Sequence, residues 1–213
     1  VSFLGHRRLL VVTAVEPERQ AVLRGLGATD SVAVEVGGVG AAAVAATTAR
    51  VLALRRFDAV LSAGIGGGIG VPLGGLAVAT ASIAADLGAA SPDGFLSLAE
   101  LGFGRADFTA DAGLVAAMTA ALPDAATGPV LTVSTVTGTV AGTEELLARH
   151  PGAVAEAMEG FGVATAAEQA GVPFGELRAI SNSVGPRDRA AWRIGDALDG
   201  LAEAFAHLAK LAL

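Results

Sequence analysis

The chain has 213 residues, 53% of them hydrophobic and 16% charged, which is enough for one large core and far from a disordered composition. The formal net charge of −7 comes with scattered Lys and Arg, so there is no cationic track for a phosphate backbone and no nucleic-acid partner is expected. Cysteine is absent, which removes disulfide and thiolate chemistry and fits a reducing, cytoplasmic setting. No apolar run reaches the roughly 18 residues needed to cross a bilayer, so no membrane partner is expected either.

Three basic residues precede the apolar run Leu9–Val15, in the outline of a signal peptide. That run is short and leads straight to Glu16, Glu18 and Arg19, so a buried first strand is the expected structure. Strands at Leu9–Val15, Ser31–Val36 and Ala59–Ala63 alternate with helices at Glu18–Leu26 and Val39–Leu54. This order belongs to a mostly parallel sheet covered on both faces. Leu76–Ser82 is a further strand, and Asp111–Leu122 a helix with Asp111 as its cap. Ser91–Thr109 is irregular, with Phe95, Leu96, Phe103 and Phe108 among glycines; it is either a pocket lid or a loop packed on the core. Pro129–Val136 returns to strand pattern. Gly142–Arg149 is a short helix, with Thr143 as its cap and Glu144 and Glu145 at its positive end. Ala153–Met158, Phe161–Ala170 and Glu176–Ile180 read as strand, helix and last strand. Leu198, Leu201, Phe205, Leu208 and Leu211 then recur at spacings of three and four, the stripe of a closing amphipathic helix. Without a repeat or a second core, residues 1–213 are expected to form one α/β domain. Its expected architecture is three-layer α/β/α around a central, mostly parallel mixed sheet.

The segment from Gly64 to Gly70 follows a strand but contains no G-x-G-x-x-G, and Pro72, Gly74 and Gly75 occupy the place where a phosphate-binding helix should begin. Gly66 and Gly67 either let the backbone approach a flat ligand or serve a turn. Glu16, at the end of the first strand, can accept a proton from water, or can be a helix-start carboxylate favoured by the dipole. Glu18 and Arg19 look like solvated helix positions. Glu159 stands in an apolar neighbourhood where a carboxylate needs partners, such as the adjacent hydroxyls of a ribose, although a helix-start role is also open. Met158 can cover a sugar's apolar face or fill core. Asn182 both donates and accepts, which suits a purine edge as well as it suits a turn into Gly185. His6, His150 and His207 have no metal-ligand spacing, and no serine lies in a G-x-S-x-G elbow. Chemistry without a metal or another cofactor is therefore expected.

Five segments, in this order, resemble the purine nucleosidase/phosphorylase superfamily. They are Thr13-Ala14-Val15-Glu16, Gly38-Val39-Gly40-Ala41-Ala42, Gly64-Ile65-Gly66-Gly67-Gly68, Ala157-Met158-Glu159-Gly160, and Arg178 through Gly185 continuing to Arg189 and Trp192. Within the superfamily the chain is most similar to the branch that cleaves futalosine in the alternative menaquinone pathway. The resemblance implies a nucleoside phosphorylase-like fold, a small purine nucleoside as partner, and a homo-oligomer, dimer or larger. It casts Glu16 as the residue that orients the attacking water and Met158 with Glu159 as the ribose grip. Asn182 stands where the adenosine-type nucleosidases carry an Asp that protonates N7. An amide cannot act as a general acid, so the change moves the expected base toward hypoxanthine. Arg187, Trp192 and Phe95 are candidates for substrate contacts, the first two toward the benzoate-bearing 5′ extension.

Three rival expectations stand beside hydrolysis. A phosphorylase would need an anion site beneath C1′, which Glu16 would disfavour. A methylthioadenosine/S-adenosylhomocysteine nucleosidase would share most of the contacts. A purine-binding module without activity could keep Glu159 and Asn182 with no need of Glu16.

Overall fold

The computed structural model describes residues 8–210, so His6 and Leu211 lie outside the described residues. Strand β1 (Leu9–Thr13) is buried along its whole length and leads into α1 (Glu16–Leu26), whose second residue is Pro17. Proline is tolerated there because first-turn N–H groups have no intrahelical partner. Then follow β2 (Val32–Val36), α2 (Ala41–Leu54) and β3 (Ala59–Gly68). Strand β1 runs parallel to both β2 and the first half of β3.

The sequence-based end of β3 at Ala63 is too early: the strand continues through the glycines to Gly68. Beyond it lie β4 (Leu76–Ala84), the hairpin β5 (Gly88–Ser91) and β6 (Gly94–Ser97), and β7 (Asp107–Thr109), which pairs with β4. The expected irregular segment Ser91–Thr109 thus holds the short strands β6 and β7, with turns and loop between them. Helix α3 (Ala112–Ala121) is capped as expected, Asp111 Oδ1 accepting from the Leu114 N–H at 2.9 Å.

Strand β8 (Ala126–Thr132) stops short of Val136, because side chains take over the backbone donors there. Ser134 N–H donates to Asp86 Oδ2 at 2.6 Å and Thr137 N–H to Glu156 Oε1 at 2.9 Å. Helix α4 (Val140–Arg149) is capped by Thr139, which accepts from Gly142 N–H at 3.0 Å; Thr143 lies inside the first turn, donating to the Thr139 carbonyl. The chain closes with β9 (Ala155–Ala157), α5 (Gly160–Ala170), β10 (Phe174–Ser183) and α6 (Ile194–Lys210).

The sheet is mixed, mostly parallel and covered on both faces. Helices α1 and α6 pack together on one side, where Leu201, Phe205 and Leu208 are fully buried against β1, β3 and β10. Helices α2 and α5 cover the other through Val44, Val51, Val163 and Ala167. These three layers agree with the expected α/β/α architecture. Part of the sheet, however, is not open. Strand β3 pairs with β10, β10 with β4, β4 with β8, β8 with β9, and β9 returns to Gly67 and Gly68 of β3, closing a ring of five strands. Bare glycine backbone permits this closure. A Cβ on Gly68 would lie 2.5 Å from the Val71 carbonyl oxygen, and one on Gly66 2.9 Å from that of Glu156. Register shifts in β4 and in β10, the latter between Ile180 and Asn182, add the bends that a ring needs.

Candidate active site

A cleft of about 370 Å³ opens at the ends of β1, β3, β9 and β10. On one wall stands Glu18, 4% exposed. A side chain in the first helical turn leans back toward the N-terminus, which brings its carboxylate onto the chain entering α1. Glu18 Oε2 accepts from the N–H groups of Ala14 at 2.9 Å and Val15 at 3.2 Å, and Oε1 from Ile65 N–H at 2.9 Å. Burial pushes this carboxyl above its ordinary range, with the Ile65 N–H and Arg178 pulling it back and the charge of Glu159 adding to the rise.

Glu16 does not reach the cleft. Two residues are about 200° around an α-helix, so its carboxylate leaves from the other side, where Oε1 accepts from Arg19 Nη1 at 3.0 Å and from Gln20. The solvated position and the cleft position, as read from the sequence, are therefore exchanged between Glu16 and Glu18.

Glu159 also lines the cleft and is 7% exposed. Its Oε1 accepts from Gly40 N–H at 3.2 Å, and Oε2 from Met158 N–H at 3.3 Å and Arg178 Nη1 at 3.4 Å. Arg178 is fully buried; its Nε donates to Glu176 Oε1 at 2.9 Å and its Nη2 to Ser62 Oγ at 2.6 Å. Burial works against the guanidinium's charge, but Glu176, Glu159 and Glu18 outweigh it and hold it charged. Glu176, equally buried, is pushed above the ordinary carboxylate range by the same loss of water. Three carboxylates thus surround one cation.

Asn182 is half-buried and lies within β10, not in the turn after it. The register shift turns it to the face opposite that of Ile180, since Ile180 pairs with Gly66 and Asn182 with Gly67. Its Oδ1 accepts from Ser181 Oγ at 2.9 Å and its Nδ2 donates to the Ser183 carbonyl at 3.0 Å. Gly66, Gly67, Met158, Arg187 and Trp192 also line the cleft. The guanidinium of Arg187 sits 5.6 Å from the Trp192 ring centre, and that of Arg189 5.8 Å from it on the same indole. Phe95 is not brought to the cleft; its ring, on β6, is occupied by Arg149, 4.3 Å from its centre. Among the described residues no group of three or more metal-binding side chains occurs.

Sequence reasoning missed Arg178, Glu176 and Glu156 and dismissed Glu18. A signal existed for the first two: Glu176 and Arg178 are opposite charges two apart in an otherwise apolar strand, hence on one face and able to pair. None existed for Glu156.

A family model described as the phosphorylase superfamily matches residues 7–213. Futalosine hydrolase from Streptomyces coelicolor is 51% identical, covering 95% of each chain; that from Acidothermus cellulolyticus is 49% identical, covering 93% of this chain and 89% of its own. Among solved structures, the methylthioadenosine/S-adenosylhomocysteine nucleosidase from Colwellia psychrerythraea in complex with adenine superposes with a TM-score of 0.83 at 21% identity, over 96% of this chain and 95% of that one. The corresponding enzyme from Neisseria meningitidis, in complex with methylthio-immucillin-A, gives 0.80 at 19% identity, over 96% and 99%. The fold is nucleoside phosphorylase-like, and the chain is an N-glycosidic bond hydrolase. The chain belongs to the phosphorylase superfamily and, within it, to the futalosine hydrolase family.

Proposed function

We propose that the chain, acting as one domain over residues 1–213, hydrolyses the N-glycosidic bond of futalosine, releasing hypoxanthine and dehypoxanthine futalosine in menaquinone biosynthesis. The observation that carries this reading is the pair of buried carboxylates, Glu18 and Glu159, that line one cleft beside the same buried guanidinium. Glu159, steadied by Gly40 N–H and Arg178, holds the ribose hydroxyls through charge-assisted hydrogen bonds. Glu18 takes the place first given to Glu16. Its oxygens are aimed by three backbone donors, and in its ionised form it accepts a proton from water as the water oxygen bonds to C1′. The C1′–N9 bond breaks with its electron pair passing to the base. Asn182 donates a hydrogen bond to the departing oxopurine anion, which takes a proton from solvent while Glu18 gives the water's proton back to solvent and returns to its ionised form. Bare backbone at Gly66 and Gly67 lets the flat ring approach, Met158 covers the sugar, and Arg187 with Trp192 meets the benzoate end of the substrate.

Phosphorolysis is disfavoured by charge. The buried guanidinium nearest the cleft is already engaged by Glu176 and Glu159, and Glu18 would repel an anion beneath C1′. No described helix is long and apolar enough to cross a membrane. A cytoplasmic location and a homo-oligomer complete the reading, with Phe103, 78% exposed, available to a neighbouring copy. Chromatography of products formed from futalosine, with and without phosphate and with a chelator, tests it. Hypoxanthine released equally in all three supports it; strict dependence on phosphate overturns it.

A further inference from the structure

Glu156 is 5% exposed, lines the cleft and takes no part in the steps above. It pairs across the sheet with Gly67, and Gly67 pairs on its other edge with Asn182. Residues paired across strands point to the same face, so Glu156 and Asn182 flank a position that carries no side chain. They stand two strand spacings apart, on the order of 10 Å, which leaves room between them for a flat bicyclic ring. Gly67 must stay bare, since a Cβ there would lie 2.9 Å from Val184 Cγ2 and 3.2 Å from Asn182 Nδ2.

The hydrogen bonds of Glu156 define what it offers a ligand. Oε1 accepts from Thr137 N–H at 2.9 Å and Oε2 from the Thr137 hydroxyl, so both oxygens are acceptors. A carboxylate has about four acceptor positions, and two remain. The same contact consumes the N–H of Thr137, which is therefore no longer a donor for a ligand on this wall. The wall thus presents acceptors, whereas the Asn182 amide across the slot presents one donor and one acceptor.

We propose that Glu156 is the residue that selects a 6-oxopurine base, by accepting its N1–H while Asn182 meets the opposite edge. A 6-oxopurine carries a hydrogen on N1. A 6-aminopurine carries a lone pair there, which would face the carboxylate unpaired and repelled. Bases are told apart most strongly where a buried polar group would be left without its partner. The inference rests on the nucleosidase reading of the cleft and adds its base specificity.

The test compares kcat/KM for futalosine and its 6-amino analogue in the wild type, Glu156→Gln and Thr137→Val. The wild type should prefer the 6-oxo substrate by about 100-fold or more. In Glu156→Gln, whose amide can serve either base, that preference should fall to within about tenfold. Thr137→Val, which keeps the carboxylate and loses only the hydroxyl tether, should retain it. An unchanged ratio in Glu156→Gln overturns the proposal, as does an equal collapse in Thr137→Val, which would make Glu156 a loop tether only. Calorimetry on the wild type supplies an arm independent of turnover and of variant folding. Hypoxanthine should bind at least about tenfold more tightly than 1-methylhypoxanthine, and equal binding overturns the proposal. Hypoxanthine discrimination without any glycosidic cleavage would instead leave Glu156 in its role and remove the hydrolase reading.

Discussion

Glu18 and Arg178 face each other across the bare backbone of Gly64. A Cβ placed on that glycine would lie 2.5 Å from Glu18 Oε1 and 3.0 Å from Arg178 Nη1. The same guanidinium also reaches Glu159 and Glu176, so one buried cation links both cleft carboxylates to the sheet interior. Such a cluster offers little net stability by itself, because removing four charged groups from water opposes their mutual attraction. What it does provide is a fixed geometry for the two carboxylates at the reacting centre.

Glu18→Gln should lower kcat on futalosine by roughly 10²–10⁴-fold, the range of a lost general base, while Glu16→Gln should stay within about twofold of wild type. Steady-state kinetics on the two variants decides between the carboxylates. The reverse result would return the role to Glu16.

Activity should fall as pH drops through the raised titration of Glu18, since only the ionised form accepts a proton. The acidic limb of kcat/KM should therefore have its midpoint above 4.5, the ordinary glutamate value. A limb at or below that value would mean that burial does not govern this group.

Gly64→Ala puts a methyl group into the space held by the Glu18 carboxylate and the Arg178 guanidinium and displaces the carboxylate from its position. Misplacement of a reacting group by about an ångström costs on the order of 10²-fold in rate. A loss of that size in kcat, with a far-ultraviolet spectrum like that of wild type, is expected.

Glu176→Ala should destabilise the fold by about 3–5 kcal/mol, the cost of leaving a buried charge without its partner. Urea unfolding measures this directly. Glu176→Gln, which can still accept from Arg178 Nε, should lose clearly less.

Trp192→Ala should raise KM for futalosine up to about tenfold, from loss of an aromatic and cationic contact near the mouth of the cleft. Turnover of inosine, which lacks the 5′ extension, should change little. Equal effects on both substrates would detach Trp192 from that extension.

The order of strands and helices was legible along the chain because burial imposes local periods of two and 3.6 residues, as in the stripe from Leu198 to Leu208. Boundaries failed where side chains replaced ladder partners. Ser134 and Thr137 end β8 early by donating to Asp86 and Glu156, and no spacing in the sequence announces those distant acceptors. The glycines after Ala63 read as lying beyond the strand, as a ligand contact or a turn, because glycine ordinarily weakens strands. Their actual setting is a strand pressed so closely by Glu156, Ile180 and Val71 that a side chain would not fit.

The sequence by itself determined the α/β class, through local pattern, and singled out Met158, Glu159 and Asn182 as candidates, through residue type and family resemblance. Only the tertiary structure decided that Glu18 rather than Glu16 enters the cleft, that Asn182 turns to the face of Gly67, and that Arg178 gathers three carboxylates. The first depends on a rotation of about 200° between neighbours in one helical turn, the second on a bulge, and the third on strands and helices far apart in the chain. Direction in space is set by packing, which no run of residues encodes alone.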